Sequence, residues 1–192
     1  MNSGYIQNGY FLLLTFASGL FYFCFFMVAL SFTLALSFTV VGIPLLIRVL
    51  RSTAAFIQFE RTQTKIYTDI STKPYHHKVE SKGSVWALAK LELTDRRNWV
   101  AVFWLMQKFI IGLLSLICFV LLYLMPIIFI LSPLLYRYIN IQFIFIPIDT
   151  YLKSFMLMTL GVVLCIISFK LADKLAKSIG RYTKRMMEQL NR

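Results

Sequence analysis

The chain has 192 residues, of which 59% are hydrophobic and only 15% are charged, and its mean hydropathy is +0.73. A soluble domain carries about 25% charged residues, so this composition excludes an ordinary soluble domain and indicates an integral membrane protein. The net charge of +12 comes from basic residues that flank apolar stretches. That placement argues against nucleic acid as a partner and favours a bilayer with anionic headgroups as the surroundings.

The amino-terminal part is one long uncharged stretch, since the first charged side chain is Arg48. As a single helix, it would be about twice as long as the hydrocarbon core of a bilayer is thick. It is therefore predicted to form a hairpin of two spans, at about residues 10–30 and 32–48, with the turn near Ser31 to Thr33, where small hydroxyl residues cluster. Gly42 and Pro44 fall late in the second span, where a bend or a close helix contact is expected.

The first polar region runs from Arg48 to Lys108. It begins with an amphipathic helix, predicted over about residues 48–66, whose apolar and basic faces are typical of helices that lie in the headgroup layer. A polar loop and a short helix follow. Asp95 is then expected to cap the next helix, and Trp99 to anchor the start of the third span at the membrane surface.

The third and fourth spans are predicted over about residues 102–126 and 153–170, joined by a short aromatic-rich segment. The tail, about residues 170–190, carries apolar side chains at spacings of three and four, beginning with Leu171, Leu175 and Ile179. Only a helix explains this spacing, and no proline interrupts it, so the fourth span is expected to continue into the tail. The apolar side of that helix suits either the membrane surface or a partner helix.

The distribution of basic residues predicts the topology. Of the 20 lysines and arginines, 11 lie from Arg48 to Lys108 and 7 lie beyond residue 169, whereas only Arg137 and Lys153 separate the third and fourth spans. By the positive-inside rule, both large basic segments and both chain ends face the cytoplasm. The predicted fold is thus one all-α integral membrane domain over residues 1–192, with four transmembrane helices in two hairpins, each followed by a basic amphipathic cytoplasmic helix.

The two hairpins share an internal similarity. Phe16–Leu20 (Phe-Ala-Ser-Gly-Leu) recurs as Phe109–Leu113 (Phe-Ile-Ile-Gly-Leu), each time near the start of a hairpin. In each half, the second helix of the hairpin then runs into a basic amphipathic helix. The order of these elements predicts an internal duplication, an architecture found among membrane proteins.

Five short motifs follow one another along the chain: Phe16–Phe23, Gly42–Leu46 (Gly-Ile-Pro-Leu-Leu), Phe59–Arg61, Asp95–Trp99 and Ser132–Tyr136. With these motifs in this order, the chain resembles the sensor domain that precedes the catalytic core of some bacterial two-component histidine kinases. The resemblance covers roughly residues 9–187 and implies a four-span sensor module in the bacterial cytoplasmic membrane. In those kinases a phosphoacceptor histidine and an ATP-binding domain follow the module, whereas this sequence has no glycine-rich nucleotide-binding motif. The resemblance therefore implies a sensor that signals through a protein partner.

The residues needed for catalysis or ion transport are missing from the middle of the predicted spans. No Asp, Glu, Lys, Arg or His falls there, because Lys108 is counted as the end of the polar region. This argues against a pump, a secondary transporter or an intramembrane hydrolase, so neither an enzyme activity nor a cofactor is expected. His76, His77 and Glu80 are interpreted as solvated loop residues rather than metal ligands, and the three cysteines as packing residues.

Two groups of residues are candidate sites. The first, on the predicted outer side, is a polar and aromatic cluster for an external ligand: Tyr136, Arg137, Tyr138, Asp149, Tyr151 and Lys153. Anchoring of helix ends in the membrane interface explains the same residues without a ligand. The second group, for signal transfer or partner binding, comprises Gly42, Pro44, Phe59, Glu60, Arg61, Asp95, Trp99, Leu171, Leu175 and Ile179. Helix capping, packing and membrane anchoring are the alternative roles for these positions.

The sequence supports two functional hypotheses. In the first, the protein is a membrane-embedded sensor and signal-transfer module. A stimulus shifts the hairpins, and the amphipathic helices carry that shift to a cytoplasmic or membrane partner, such as a kinase or a regulator. In the second, it is a non-sensing accessory subunit of a membrane complex, such as an export transporter, or a resistance or immunity protein. A stimulus-dependent output distinguishes the first from the second, and homodimerisation stays open in both.

Overall fold

The computed structural model describes residues 4–39, 41–71, 85–135, 142–143, 146–147 and 151–191. Almost all of these residues are helical. The elements, in chain order, are α1 (Tyr5–Ala35), a 3₁₀ turn (Leu36–Phe38), α2 (Gly42–Thr68), α3 (Val85–Thr94), α4 (Arg96–Phe119), a π-helical turn (Val120–Leu124), α5 (Met125–Ile130), α6 (Ser132–Leu135), β1 (Gln142–Phe143), β2 (Ile146–Pro147) and α7 (Tyr151–Leu190). The strands β1 and β2 pair in antiparallel orientation and have two residues each.

Four helical segments are long and apolar enough to cross a membrane: Tyr5–Ala35, Gly42–Thr68, Arg96–Ile130 and Tyr151–Leu190. The predicted helical fold of a multi-pass membrane protein with four candidate spans is thereby confirmed. The short ladder of β1 and β2 is the one departure from an all-α fold among the described residues, and it lies in the segment that connects the last two candidate spans.

The turn of the first hairpin lies later than predicted. Helix α1 continues through Ser31 and ends only at Ala35, where the 3₁₀ turn begins. The reason is local, because the hydroxyl of Thr33 donates to the carbonyl of Leu30 in its own helix (3.1 Å). A hydroxyl residue that bonds back to the preceding turn is compatible with a continuing helix.

Helix α2 begins where a bend was expected. Gly42 is its first residue and Pro44 lies in its first turn, where the backbone N–H groups have no intrahelical partner and proline is tolerated. A side chain at Gly42 would collide with the carbonyl of Leu36, so glycine is needed where the chain folds back. From there α2 runs unbroken to Thr68, so the predicted second span and the amphipathic helix after it are one helix.

The second half of the chain is also built from long continuous helices. The π-helical turn ends at Leu124, and Pro126 is the second residue of α5. Proline has no N–H for the hydrogen bond to the preceding turn, and the wider π-helical turn makes room for its ring, so the helical run continues from α4 into α5. Helix α7 has 40 residues and includes Gly180 without a break. The fourth candidate span and the basic tail therefore form one rod, as the lack of an internal proline led us to expect.

Helices α1 and α4 pack closely along their length and run in opposite directions. A Cβ atom on Gly19 would lie 2.7 Å from the carbonyl oxygen of Lys108, and one on Gly112 would lie 3.0 Å from the Cα of Phe16. Further along, the hydroxyl of Tyr5 donates to the carbonyl of Leu122 (2.6 Å). Early residues of α1 thus meet late residues of α4. The two copies of the repeated Phe-x-x-Gly-Leu motif pack against each other, because their glycines let the two backbones approach.

Helices α2 and α7 complete a four-helix bundle around this central pair. On α2, Phe56 packs on Tyr22 of α1 with ring centroids 5.1 Å apart. On α7, Tyr182 packs on Trp104 of α4 with centroids 4.9 Å apart. Two clusters of buried apolar side chains form the core, one near Phe26, Leu50 and Leu105 and the other near Phe11, Leu122 and Ala176.

The direction of each helix follows from its contacts. Near the start of α1, Phe11 faces Tyr67 at the end of α2, and Tyr5 faces Phe169 in the middle of α7. Since Leu190 packs in the same cluster as Phe26, α7 runs parallel to α1. Helices α2 and α4 therefore run opposite to α1 and α7. The turn of the first hairpin and the connection between α6 and α7 lie at opposite ends of the bundle.

The bundle has two unlike surfaces. The exposed positions of α1 and α4 are almost all apolar, including Ile6, Tyr10, Phe21, Phe103, Ile110 and Leu114. The exposed positions of α7 beyond Phe169 are mostly basic, including Lys170, Lys174, Lys177, Arg181, Lys184 and Arg185. An apolar surface of this extent is typical of a contact with lipid or with another protein, whereas the basic surface is typical of a face in water or among headgroups.

Candidate functional site

The candidate site is a buried ion pair between the two halves of the chain. Glu60, on α2, is fully buried, and Lys108, on α4, is 2% exposed. The Lys108 ammonium contacts the Oε2 atom of the Glu60 carboxylate. The two charges lie beside the closest approach of α1 and α4, because the carbonyl of Lys108 faces Gly19.

The inward direction of Glu60 follows from the helical repeat of α2. Ile57, Glu60 and Thr64 are three and four residues apart and are all buried, whereas Gln58 and Phe59 between them are exposed. Residues at this spacing share one face of a helix, and here that face points into the bundle. The carboxylate therefore reaches the interior, although the same helix carries solvent-exposed polar residues on its other side.

Other polar side chains are buried in the same part of the bundle. Gln63 and Thr64 lie within about one turn of Glu60 on α2. Among the described residues, neither the Gln63 amide nor the Oε1 atom of Glu60 has a hydrogen-bond partner. A buried polar group in this state costs about 1–3 kcal/mol of folding free energy. The interior next to the ion pair is thus polar but incompletely satisfied, which is unusual for a site that serves packing alone.

The electrostatics make the pair sensitive to helix position. Two charges out of water are stable only while they stay in contact, because each carries a large desolvation penalty. Removing one partner of such a pair costs about 3–5 kcal/mol. A relative movement of α2 and α4 that separates Glu60 from Lys108 meets the same penalty, so the pair opposes intermediate arrangements of the two halves.

A second polar network joins α2 to α4 through α3. The Arg51 guanidinium pairs with the Glu92 carboxylate, with 2.9 Å between Nε and Oε1. Glu92 is 2% exposed, and its Oε2 atom accepts a hydrogen bond from Nδ2 of the buried Asn98 (2.7 Å). This network and the Glu60–Lys108 pair thus hold α2 and α4 together at two positions along their length.

The comparison with protein families now decides the identity. A family model described as "Putative sensor" matches residues 11–187, which is nearly the whole chain. The chain belongs to this sensor family. No curated protein and no solved structure matches it.

The capping residues expected for α4 in this sensor are in place. Asp95 precedes the helix, and its Oδ1 atom accepts a hydrogen bond from the backbone N–H of Arg97 (2.9 Å). The indole N–H of Trp99 donates to the carbonyl of Leu93 (2.9 Å) while the ring stays 41% exposed. The predicted cap at Asp95 is confirmed. The Glu60 carboxylate contacts Lys108 of α4, and this contact joins the two halves of the chain.

The other predicted signal-transfer residues lie in different environments. Gly42 is buried and Pro44 exposed at the start of α2, whereas Phe59 is exposed and Arg61 is half-buried further along the same helix. On α7, Ile179 is buried, Leu175 is packed against the core and Leu171 is exposed. The apolar side of the tail thus faces α1 and α4 over most of its length. Its role in signal transfer stays a prediction.

Of the predicted outer cluster, the structure describes only two members. Tyr136, Arg137, Tyr138 and Asp149 lie outside the described residues. Tyr151 and Lys153 are both exposed in the first turn of α7. Nearby, the hydroxyl groups of Ser132 and Ser154 are 2.8 Å apart and tie α6 to α7. A ligand site in this segment stays a prediction.

Sequence reasoning missed Lys108, Glu92 and Asn98. The statement that no ionisable residue lies in the middle of a span overlooked Lys108, which lies within the candidate span Arg96–Ile130. A signal was present, because Lys108 is 12 residues after Arg96 and only apolar or polar uncharged residues separate it from Arg97. An isolated lysine that deep in an apolar helix requires a buried partner.

Proposed function

We propose that this sensor responds to a stimulus by changing the packing between its two halves and passes that change to a protein partner at its basic surface. The observation that carries the proposal is the buried Glu60–Lys108 pair. It joins the first half of the chain to the second at the point where the repeated motifs cross. A general sensor role follows from the family. The mechanism of transfer and the partner are the proposal.

The ion pair favours two distinct arrangements over a continuous series. While the charges touch, the closed packing of α2 on α4 is stable. Once they separate, each charge needs a new partner or access to water, which a small helix shift does not supply. Packed interfaces of this kind switch between two discrete arrangements and do not deform continuously. A stimulus that binds one arrangement more tightly than the other shifts the equilibrium toward that arrangement.

Helix α7 provides the route to the surface. Its first part, Tyr151–Phe169, is mostly apolar, and its second part carries the exposed basic residues. Because the helix is continuous, a displacement of the apolar part moves the basic part with it. The partner surface in this proposal is the exposed basic side of α7, and the apolar residues Leu175 and Ile179 hold the tail on the bundle.

In this proposal, both chain ends and the polar linker between α2 and α4 lie in the cytoplasm, as the distribution of basic residues predicts, and the membrane is the bacterial cytoplasmic membrane. The apolar surface of α1 and α4 contacts acyl chains, and the exposed basic side of α7 faces the cytoplasm or the headgroups.

Photo-cross-linking in native membranes tests the transfer step. A photoreactive amino acid at Lys177, which is exposed on the basic side of α7, is compared with the same group at Ile179, which faces the core. We expect a protein partner to be captured from Lys177 only. Its yield should change several-fold in the double variant Glu60→Met/Lys108→Met, which removes the ion pair and leaves no buried charge. A transporter subunit captured at constant yield would contradict signal transfer and favour the accessory-subunit hypothesis.

A further inference from the structure

A cavity of about 540 Å³ lies between α1, α4 and α7. This volume is within the range of sites for small molecules, about 300–1,000 Å³. Its walls are mostly apolar, with Leu12 from α1, Ile111 from α4 and Ile179 from α7. The cavity therefore touches both halves of the chain, next to the interface that the ion pair holds.

The interior of the cavity contains one buried polar group. Ser115 lines the cavity and is 3% exposed. Its Oγ atom has no hydrogen-bond partner among the described residues. Buried polar groups normally have a hydrogen-bond partner. The Ser115 hydroxyl is therefore available to bond a ligand that enters between α4 and α7.

Two arginines lie at the rim of the cavity. Arg181 and Arg185 line it, are exposed, and are four residues apart on α7, so they share one face of the helix. No described carboxylate forms an ion pair with either of them. The nearby Glu188 is 3.9 Å from Lys184 instead. Two adjacent guanidinium groups without an acidic partner match the geometry of a carboxylate or a phosphate.

We propose that this cavity binds an amphiphile with an anionic head, either a carboxylate or a phosphate, and a single apolar chain. The head contacts Arg181 and Arg185 at the rim, and the chain lies among the apolar residues beneath. This inference rests on the proposed function, because a ligand here bridges α1, α4 and α7 and thereby biases the packing of the two halves. The chemistry fits a free fatty acid and a lysophospholipid equally well.

The test uses the full chain in a non-ionic detergent with Trp104 as the reporter. Trp104 lines the cavity, so Trp86→Phe and Trp99→Phe leave one tryptophan at the site. Sodium dodecanoate is titrated below its micellar concentration, and dodecyltrimethylammonium provides the cationic counterpart with the same chain. We expect a saturable fluorescence change with dodecanoate and none with the cation. A linear, non-saturable change with both would overturn the proposal.

Charge variants separate the site from general attraction to a basic surface. In the double variant Arg181→Gln/Arg185→Gln, the dissociation constant should rise by about tenfold or more, the expected effect of losing a charge-assisted hydrogen bond. The matched control is Lys170→Gln/Lys174→Gln, which removes from the same helix two exposed charges that do not line the cavity. Its dissociation constant should stay within about twofold, since exposed charges act weakly at this distance. Equal weakening in both variants would refute a defined head-group site.

A parallel titration with lysophosphatidylglycerol identifies the source of the ligand. Saturable binding of dodecanoate indicates free fatty acids, binding of the lysophospholipid alone indicates membrane lipids, and binding of neither overturns the site. This titration measures ligand binding and does not depend on the outcome of the photo-cross-linking at Lys177. Binding without any change in cross-linking yield would preserve the cavity site and refute the proposed signalling, whereas the opposite result would refute only the site.

Discussion

The Lys108→Met variant should destabilise the protein strongly, and the double variant Glu60→Met/Lys108→Met should recover most of the loss. In the single variant, the fully buried Glu60 carboxylate loses its counter-ion, and either an unpaired charge or the uptake of a proton at this buried group costs folding free energy. Methionine has a length similar to lysine and fills the same space, so the change removes the charge with little effect on packing. The double variant leaves no buried charge at either position.

The size of the effect follows from the burial of both groups. Removing one member of a buried pair costs about 3–5 kcal/mol, whereas replacing both by apolar residues is often neutral or stabilising by about 1–4 kcal/mol. For a chain of this length, 1 kcal/mol corresponds to about 2–4 °C in the melting temperature. Lys108→Met should therefore lower the melting temperature by about 6–20 °C, and the double variant should melt within a few degrees of the parent or above it.

Thermal unfolding followed by far-ultraviolet circular dichroism in one non-ionic detergent measures these differences. The matched control is Lys177→Met, which breaks the exposed pair with Asp173 (2.7 Å). Exposed pairs four residues apart on a helix contribute only about 0.3–0.5 kcal/mol, so the control should shift the melting temperature by about 2 °C or less. If Lys108→Met behaves like the control, or if the double variant loses as much as the single one, the buried pair does not hold α2 on α4.

Two further predictions concern the helix crossing and the cap of α4. Gly19→Ala should destabilise by about 1–3 kcal/mol, because the new methyl group would lie 2.7 Å from a backbone oxygen, whereas Gly4→Ala, with nothing within 4 Å, should have little effect in the same melting assay. Asp95→Ala should cost about 0.5–2 kcal/mol through loss of the cap on α4, and Asp95→Asn should recover most of it; equal losses would contradict a capping role.

The sequence was sufficient to predict the helices and their approximate number. The long uncharged stretches, the spacing of Leu171, Leu175 and Ile179, and the absence of proline from residues 151–190 depend only on local chemistry. A helix satisfies every backbone group of such a stretch in lipid. The duplicated Phe-x-x-Gly-Leu motif was also visible. The sequence did not show that the two copies contact each other, because a repeat alone does not say which segments of the chain pack together.

Two features could not be predicted from the sequence: the position of the first turn and the partner of Lys108. Ser31 and Thr33 suggested a turn because hydroxyl residues favour turns, but such a residue can equally bond to its own helix, as Thr33 does. Lys108 was assigned to a polar region because charge was used to predict topology. Which buried group it faces depends on the packing of α2 against α4. No periodicity within one helix determines the direction or the register of another.

The bundle depends on the antiparallel packing of α1 on α4, and a distance measurement in the native membrane tests this packing. In a variant without natural cysteines, Tyr5→Cys is combined either with Tyr123→Cys or with Trp99→Cys and treated with a short bis-maleimide. The rings of Tyr5 and Tyr123 are 4.3 Å apart between centroids, whereas Trp99 lies near the other end of α4. We predict an intramolecular cross-link between residues 5 and 123 and none between 5 and 99. Cross-linking of 5 to 99 without 5 to 123 would mean that the two helices run in the same direction, and the bundle with its buried ion pair would be refuted.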